Sequence, residues 1–432
     1  MRTPSLYPLR NIRHFEPNGL LNIPTAKRWM TEIERALDRD HYGYQIPAQS
    51  RSTGGHITVG EKPFVSLSSY DYLGLIGNPQ IEKAACEAIS TFGTGTSGAR
   101  LLTGTNQLHL ELENAIARFI GTEAAMTVTS GYLANMTPIA ALFGKDDLII
   151  SDERNHKSLL ESFKLTGAEI QMFAHNDMEA LENILKHQFP NRRILVVSEG
   201  VFSMDGDLCP LPELVRLKQE YGAFLMIDEA HSTGVNGDTG RGIHEHFGIP
   251  ASAVDIWTGS LCKTIPSNGG FIAGDASLIL YLQHSGSPFF FSSSLSPMSS
   301  AAALAAIEVI ENEPERILRL RHNTAFLKNG LRELGYDTGI TESAVVPVIM
   351  GSGADAHELA RALYQRGYLA TAVVFPAVPV GKSRLRLCAR ADMDQAQMEG
   401  ALAAFAEVAS LNAKPITLPL SVTQHLNFAK MA

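Results

Sequence analysis

The chain is poor in cysteine, and the few cysteines that it has are scattered. Among 432 residues there are only Cys86, Cys209, Cys262 and Cys388, with no CxxC pair and no histidine-rich cluster. A disulfide framework and a zinc site both require patterned ligands, so neither is expected. This cysteine usage fits the reducing cytoplasm, and we predict that location and no metal site.

Long hydrophobic runs and basic blocks are also missing. Leu278–Leu282 is far too short for the roughly 20 apolar residues of a membrane span, and the first residues lack the apolar core of a signal peptide. The net charge of −9 argues against nucleic acid as a partner. Pro24 to Leu37 has amphipathic spacing, which is compatible with a membrane surface, another subunit or, more commonly, a helix packed on its own protein.

What the chain does contain is an alternation of short apolar strands and amphipathic helices. The strand candidates are Ala125–Thr129, Leu148–Ser151, Ile194–Ser198, Phe224–Asp228 and Asp255–Thr258. Such alternation predicts an α/β fold with a mostly parallel sheet covered on both faces, and ligands of such sheets bind at the carboxyl ends of the strands. We predict an N-terminal arm at 1–65, a large domain at 66–305, a smaller α+β domain at 306–412 and a tail at 413–432.

The most informative segment is Trp257–Thr264, which contains Lys263 and is followed by Gly269-Gly270. It lies about thirty residues after a strand that ends in Asp228-Glu-Ala-His231. A lysine downstream of a buried aspartate is what pyridoxal 5′-phosphate (PLP) chemistry requires. The amine forms a Schiff base with the cofactor aldehyde, and the carboxylate keeps the pyridine nitrogen protonated.

Other polar groups follow the predicted strands in order, and each also has an ordinary structural interpretation. Ser130-Gly131-Tyr132 opens a helix and could bind a phosphate or simply cap the helix. His156 could stack on the cofactor or face solvent, and the loop Glu199–Asp207 could bind a cofactor hydroxyl or form a plain turn. Asp228 could pair with a pyridinium or with an arginine. Their joint order on successive strand ends favours the cofactor.

In the order and content of these motifs, the sequence resembles the α-oxoamine synthases. The motifs that carry the resemblance are Ser68–Gly74 (SSYDYLG), Gly93–Arg100 (GTGTSGAR), Gly104–Glu113 (GTNQLHLELE), Glu199–Gly206 (EGVFSMDG), Asp228–Gly234 (DEAHSTG) and Ser292–Pro297 (SSSLSP). The likeness runs from about residue 64 to 405. It implies the PLP-dependent transferase fold type I, in which a large, mostly parallel seven-stranded sheet domain with helices on both faces precedes a smaller C-terminal α+β domain.

The resemblance also implies roles for individual residues, the first set being around the cofactor ring. Lys263 matches the Schiff-base lysine, and Asp228 matches the partner of the pyridine nitrogen. His156 matches the ring-stacking histidine. His231 and Ser203 match groups at the ring hydroxyl, with His231 also near the reacting centre.

A second set would bind the phosphate and the substrate. Ser130, Gly131 and Tyr132 match the phosphate-binding helix start, and Ser260 matches a phosphate-binding hydroxyl that is usually threonine. Ser293 falls where family members reach the phosphate across a dimer interface, which implies a homodimer with shared sites. Arg386 matches the arginine that holds the amino acid carboxylate, with Arg384 and Arg390 as neighbouring alternatives.

Some positions depart from the common family pattern. Tyr70 stands where asparagine is frequent, and serine palmitoyltransferases carry a tyrosine there. Cys262 precedes the lysine in place of a small or hydroxylated residue, Met393 stands where histidine is common, and Thr264–Asn268 is an unusual link to the following glycines. None of these departures removes a catalytic group.

The activity implied is a PLP-dependent decarboxylating Claisen condensation of a small amino acid, serine or alanine, with an acyl thioester carried by coenzyme A or an acyl-carrier protein. The products would be an α-amino ketone, CO2 and a thiol. The alternatives within the family are 8-amino-7-oxononanoate synthase or glycine C-acetyltransferase activity. Two further alternatives are another PLP reaction such as transamination, and a non-catalytic partner subunit, which would be expected to lack the lysine.

Overall fold

A computed structural model describes residues 19–38, 55–59, 61–188 and 192–411 of the chain. The predicted tail at 413–432 lies outside the described residues. The chain divides into two compact units. One contains the first helix together with Thr58–Pro63, and the other contains the described residues from Phe64 onward together with Gly55–Ile57. The boundary predicted between a large domain at 66–305 and a smaller one at 306–412 stays a prediction.

The secondary structure follows the predicted alternation. The strands are β1 (His56–Val59), β2 (Lys62–Ser66), β3 (Ala124–Val128), β4 (Leu148–Asp152), β5 (Glu169–Phe173), β6 (Ile194–Glu199), β7 (Phe224–Asp228), β8 (Ile256–Ser260), β9 (Gly270–Gly274), β10 (Val345–Gly351), β11 (Tyr368–Leu369), β12 (Thr371–Val373) and β13 (Ser383–Cys388). The helices are α1 (Pro24–Asp38), α2 (Pro79–Phe92), α3 (Gln107–Ile120), α4 (Gly131–Leu142), α5 (Lys157–Phe163), α6 (Met178–Gln188), α7 (Leu211–Glu220), α8 (Ile243–His246), α9 (Ala276–Ser285), α10 (Ser287–Phe290), α11 (Pro297–Asn312), α12 (Glu315–Glu333), α13 (Gly353–Gln365) and α14 (Gln395–Leu411).

A seven-stranded sheet organises the chain from β3 to β9. Its order is β3-β9-β8-β7-β6-β4-β5, and β9 runs antiparallel to both β3 and β8 while the other neighbours are parallel. The predicted α/β fold with a mostly parallel sheet is therefore confirmed, and all of the predicted strands are present. Two strands of this sheet were not predicted, namely β5 at one edge and β9, which begins at Gly270 of the glycine pair that follows Lys263.

Both faces of this sheet are buried, as the strands themselves show. In β6, Ile194 and Val196 contribute to one hydrophobic core, whereas Leu195 and Val197 contribute to the other. Successive strand residues point to opposite faces, so a strand that is apolar at every position must be covered on both sides. Helices α4, α5, α9 and α10 cover one face, and α3, α6, α7 and α11 cover the other.

The C-terminal part of the chain contains a second, three-stranded sheet. The order β10-β13-β12 is antiparallel, and Arg386 of β13 lies opposite Pro347 and Thr371. A separate parallel pairing joins β11 to the end of β2, with Val65 opposite Tyr368. Among the described residues, no helix combines the length and apolar character needed to cross a membrane.

Candidate active site

The candidate residues lie where the parallel strands end. Asp152 ends β4, Glu199 ends β6, Asp228 ends β7 and Ser260 ends β8. Glu199 and Asp228 are direct neighbours in the sheet register. Because the carboxyl ends of parallel strands share one edge of the sheet, residues that are far apart in the chain converge there, and ligands of open α/β sheets bind at this edge.

Lys263 belongs to a continuous hydrogen-bonded chain of side chains. Its Nζ lies 2.9 Å from Nε2 of His231, and Nδ1 of the same ring lies 2.8 Å from the hydroxyl oxygen of Tyr72. Burial lowers the pKa of Lys263 below its ordinary value, although Asp228 and Glu199 oppose this shift. Burial, followed by the charges of Lys263 and Arg386, also holds the pKa of His231 well below its usual range. The site therefore favours a neutral imidazole beside the amine.

Asp228 is buried and held by neutral donors. Its Oδ2 accepts a hydrogen bond of 2.7 Å from Nδ2 of Asn135, and its Oδ1 accepts one of 2.9 Å from the backbone N–H of Ala230. Within the described part of the chain, no arginine or lysine forms a salt bridge with this carboxylate, so the arginine pairing considered from sequence does not occur there. The arrangement leaves Asp228 available to a cationic ring nitrogen.

His156 is the N-cap residue of α5. Its Nδ1 accepts a hydrogen bond of 3.2 Å from the backbone N–H of Ser158, and its own backbone N–H donates to the Glu199 carboxyl group. The residue lies at the mouth of the site, where the surrounding protein and the Lys263 charge lower the pKa of the ring against the opposing charge of Asp228. The capping role is thus observed, and the exposed ring is compatible with stacking.

Glu199 is a buried carboxyl group beside these residues. Burial, reinforced by the neighbouring Asp228, raises its pKa well above the usual range, against the charge of Lys263. This shift favours the protonated form of Glu199, since like charges on adjacent carboxyl groups repel each other. Asp228 is the member of the pair that the family resemblance assigns to the cofactor nitrogen.

The start of α4 forms a tight cradle below Ser260. Ser130 is the N-cap, and its side chain accepts a hydrogen bond from the backbone N–H of Leu133. The backbone N–H groups of Gly131 and Tyr132 lie in the first turn, where the helix itself offers them no acceptor. A Cβ at Gly131 would come within 3.0 Å of the Ser260 Cβ, and a Cβ at Gly270 would come within 2.6 Å of the Gly131 Cα. Glycine at both positions therefore lets helix N–H groups and a hydroxyl converge, which suits a phosphate.

The structure separates the three neighbouring arginines by their partners. Arg386 is buried and donates to the backbone oxygen of Ser203 and, over 3.4 Å, to the Tyr72 hydroxyl. Arg384 binds Asp205 at 2.6 Å, and Arg390 binds Asp71 and Asp392. Only Arg386 of these three connects with the Lys263–His231 chain through Tyr72, so it remains the candidate for a substrate carboxylate.

Tyr70 and Ser293 occupy two different surroundings. The Cζ atom of Arg386 lies 4.7 Å from the centre of the Tyr70 ring, and the Lys263 Nζ lies 6.0 Å from it. Tyr70 therefore lines the space between the amine and the guanidinium. Ser293 is exposed and forms an isolated bridge with Ala99.

Two site residues were missed from sequence, namely Tyr72 and Asn135. Tyr72 lies within the Ser68–Gly74 motif, and its buried hydroxyl joins His231 to Arg386. Asn135 lies one turn into α4, and its amide reaches Asp228. Neither residue carries a local sequence signal for this role, because a tyrosine in a loop and an asparagine in a helix have many uses.

Taken as a donor set, these residues fit PLP. A half-buried lysine with a lowered pKa suits Schiff-base formation, a carboxylate suits a pyridinium nitrogen, and a glycine-lined helix start suits a phosphate. The groups occur together at one sheet edge, and Tyr72 joins Arg386 to them.

The comparisons with known proteins agree with this geometry. Residues 62–405 match the family described as aminotransferase class I and II. The chain is 41% identical over 365 residues to 8-amino-7-oxononanoate synthase of Bacillus pumilus strain SAFR-032, covering 84% of this chain and 92% of that protein. It is 38% identical over 367 residues to 8-amino-7-oxononanoate synthase 1 of Bacillus subtilis strain 168, covering 85% and 93%.

Solved structures give the same result. Serine palmitoyltransferase of Sphingomonas wittichii superposes with a TM-score of 0.88 at 32% identity, covering 91% of this chain and 99% of that one. A variant of the S. paucimobilis serine palmitoyltransferase, solved with a bound PLP–myriocin aldimine, has the same TM-score at 31% identity and the same coverage. The chain thus belongs to the aminotransferase class I and II family of fold type I enzymes. Within that class it is a PLP-dependent α-oxoamine synthase.

Proposed function

We propose that this enzyme condenses a small amino acid with an acyl thioester, with loss of CO2, to give an α-amino ketone and a free thiol. The observation that carries the proposal is the chain Lys263–His231–Tyr72–Arg386, whose successive contacts measure 2.9, 2.8 and 3.4 Å. It places an amine that can take a proton beside a guanidinium that can hold a carboxylate. A bound amino acid would therefore present its Cα to Lys263.

The residues have complementary roles in this reaction. PLP, when bound, would supply an aldehyde that reacts with amines and an electron sink for negative charge that develops at Cα. Arg386 would bind the carboxylate by a charge-assisted pair, and Lys263, as a neutral amine, would remove the Cα proton. Asp228 would hold the proton on the pyridine nitrogen, and His156 would cover the ring face.

Gly131, Tyr132 and Ser260 would bind the phosphate, while Ser130 caps the helix and Ser203 contributes near the ring hydroxyl.

The choice of amino acid is proposed from Tyr70. Its ring, between Lys263 and Arg386, occupies space that an asparagine would leave open. Its hydroxyl would offer a hydrogen bond to the carboxylate of the amino acid substrate. We expect serine or alanine to bind in preference to glycine, and coenzyme A or an acyl-carrier protein to carry the acyl group. Likeness in structure to serine palmitoyltransferases and in sequence to 8-amino-7-oxononanoate synthases keeps both kinds of activity as candidates.

A spectral titration tests the proposed activity. The PLP-loaded enzyme is titrated with glycine, alanine and serine, and acyl-coenzyme A thioesters of increasing length are then added while free thiol and CO2 are measured. Release of both products in equal amounts supports the condensation. Transfer of the amino group without thiol release would contradict it, and tightest binding of glycine would contradict the role given to Tyr70.

We further propose a homodimer in which Ser293 reaches the phosphate bound by the partner. Exposed apolar side chains near this segment, including Phe291 and Leu102, at 84% and 80% exposure, support a covered surface. Mixing Lys263→Ala protein with Ser293→Glu protein tests the sharing, because one site of each mixed dimer would combine an intact lysine with an intact serine. Two-fold symmetry then predicts recovery of about a quarter of the sites. No recovery after refolding the mixture would place Ser293 outside the partner's site.

A further inference from the structure

Asn135 lies at the centre of a buried hydrogen-bonded network below the cofactor-facing residues. Its Nδ2 donates to Asp228 Oδ2 at 2.7 Å and to Ser158 Oγ at 2.8 Å, while its Oδ1 accepts from Thr258 Oγ1 at 2.6 Å. The Ser158 hydroxyl lies 2.8 Å from Nδ1 of His156. One amide therefore connects the two residues that would contact the cofactor ring from its nitrogen and from its face.

The hydrogen atoms of this network can point in only one direction. The backbone N–H of Ser158 is a donor, so Nδ1 of His156, which it contacts at 3.2 Å, must be an acceptor. The neutral ring then carries its proton on Nε2. Because the Ser158 oxygen accepts from Asn135, its own hydrogen is free to point at the same Nδ1.

The orientation of the Asn135 amide is equally constrained. A flipped amide would set its oxygen against Asp228 Oδ2 at 2.7 Å, with two acceptors and no hydrogen between them. Thr258, opposite Asp228 in the sheet register and fully buried, donates its hydroxyl hydrogen to the remaining amide oxygen. Both amide hydrogens are consequently used as donors, one to Asp228 and one to Ser158, whose hydroxyl contacts His156.

We propose that Asn135 is a positioning residue that keeps Asp228 anionic and His156 neutral, with the proton on Nε2, by directing these hydrogen bonds. The proposal rests on the roles given above to Asp228 and His156. A neutral amide stabilises the carboxylate by donation without competing for its charge, as an arginine would. Asp228 can then hold a protonated pyridine nitrogen while His156 stays uncharged on the ring face.

The charged groups around the two residues show why a neutral donor matters. Lys263, in the loop after β8, interacts electrostatically with both His156 and Asp228. Glu199 of β6 and Glu229 interact with the Asp228 charge, and His231 interacts with His156. A carboxylate at position 135 would add negative charge within hydrogen-bond distance of Asp228. It would also draw the Ser158 hydroxyl away from His156 and stabilise the imidazolium.

The test replaces Asn135 by aspartate, which has the same shape but offers only acceptors when ionised. The titration of the His156 ring is then measured in the absence of substrate. In Asn135→Asp protein, we expect the pKa of His156, measured by NMR of ring-labelled histidine and assigned with His156→Gln, to rise by about one pH unit or more. Ser158→Ala should alter the His156 titration and leave Cα-proton exchange of the amino acid nearly intact. Asn135→Asp should instead slow that exchange about 10²-fold, because it removes stabilisation of the Asp228 charge.

Thr258 provides the matched pair of variants should Asn135→Asp fail to fold. Thr258→Ser keeps the hydroxyl and should retain the wild-type His156 titration, whereas Thr258→Val removes the donor that orients the amide and should change it. The proposal is overturned if His156 titrates as in the wild type in both Asn135→Asp and Thr258→Val proteins. It is also overturned if Asn135→Asp protein exchanges the Cα proton of the amino acid at the wild-type rate. Failure of the condensation itself would appear separately, as wild-type enzyme that binds amino acid and releases no thiol.

Discussion

His175 should make the stability of this protein depend on alkaline pH. Its Nδ1 lies 3.0 Å from Asp152 Oδ1, and its Nε2 lies 2.7 Å from Asp207 Oδ2, with all three side chains at most 9% exposed. Burial alone would lower the pKa of His175, but the hydrogen bonds to the two carboxylates outweigh it and raise the pKa to about 9. The ring is therefore an imidazolium in the folded protein near neutral pH.

The size of the effect follows from this pKa. A rise from the ordinary 6.5 to about 9 corresponds to about 3 kcal/mol, at about 1.4 kcal/mol for each pH unit. A raised pKa in the folded state means that the contribution is fully present below pH 6.5 and is lost as the pH rises through about 9. For a chain of 432 residues this is about 3 °C in Tm.

The assay compares wild-type and His175→Gln proteins by thermal unfolding between pH 6 and pH 10, at one fixed protein concentration. The difference in free energy of unfolding between them should be about 3 kcal/mol larger at the acidic end than at the alkaline end. Glu229, whose pKa burial raises from 4.5 to about 8, loses its own contribution between these pH values in both proteins and so cancels in the difference. His187→Gln, at an exposed position of α6, is the matched control.

The result that would refute this reasoning is a wild-type to His175→Gln difference that stays constant with pH. It would mean that His175 is neutral in the folded protein. The two carboxylates would then not stabilise the protonated form of its ring. A pH-dependent difference of the same size in the His187→Gln control would show that the effect is not specific to the buried cluster.

Three further outcomes are expected. Arg100→Leu should cost about 3–5 kcal/mol of folding free energy in chemical unfolding, since it leaves the buried Glu113 carboxylate of the 2.6 Å ion pair uncompensated, and adding Glu113→Leu should recover much of this loss. Asp228→Asn should bind PLP yet exchange the Cα proton about 10²–10³-fold more slowly, and wild-type exchange would exclude its role. Borohydride treatment of the holoenzyme followed by peptide mapping should label Lys263, and a label on another lysine would show the assignment to be wrong.

Much of the sheet and the main site positions could be read from the chain itself. An uninterrupted apolar run such as Ile194–Val197 predicts a strand buried on both faces, and β6 is such a strand. Lys263 and Asp228 were predicted as site residues because several polar motifs follow successive strands in one order, although each motif alone also has an ordinary structural interpretation. That order is a property of the sequence, and it needs no knowledge of how the chain folds back on itself.

Only the tertiary structure decided which distant side chains complete the site. Tyr72 meets His231 across 159 positions and Arg386 across 314, so no local pattern could show that its hydroxyl joins them. The same holds for Asn135, and for the contact with Tyr72 that distinguishes Arg386 from its two neighbouring arginines. Strand β9 was hidden for a related reason: Gly270 resembles a loop residue, yet the close approach of Gly131 leaves no room for a side chain there. Periodicity determines each element, whereas the packing of elements determines which of their polar groups meet.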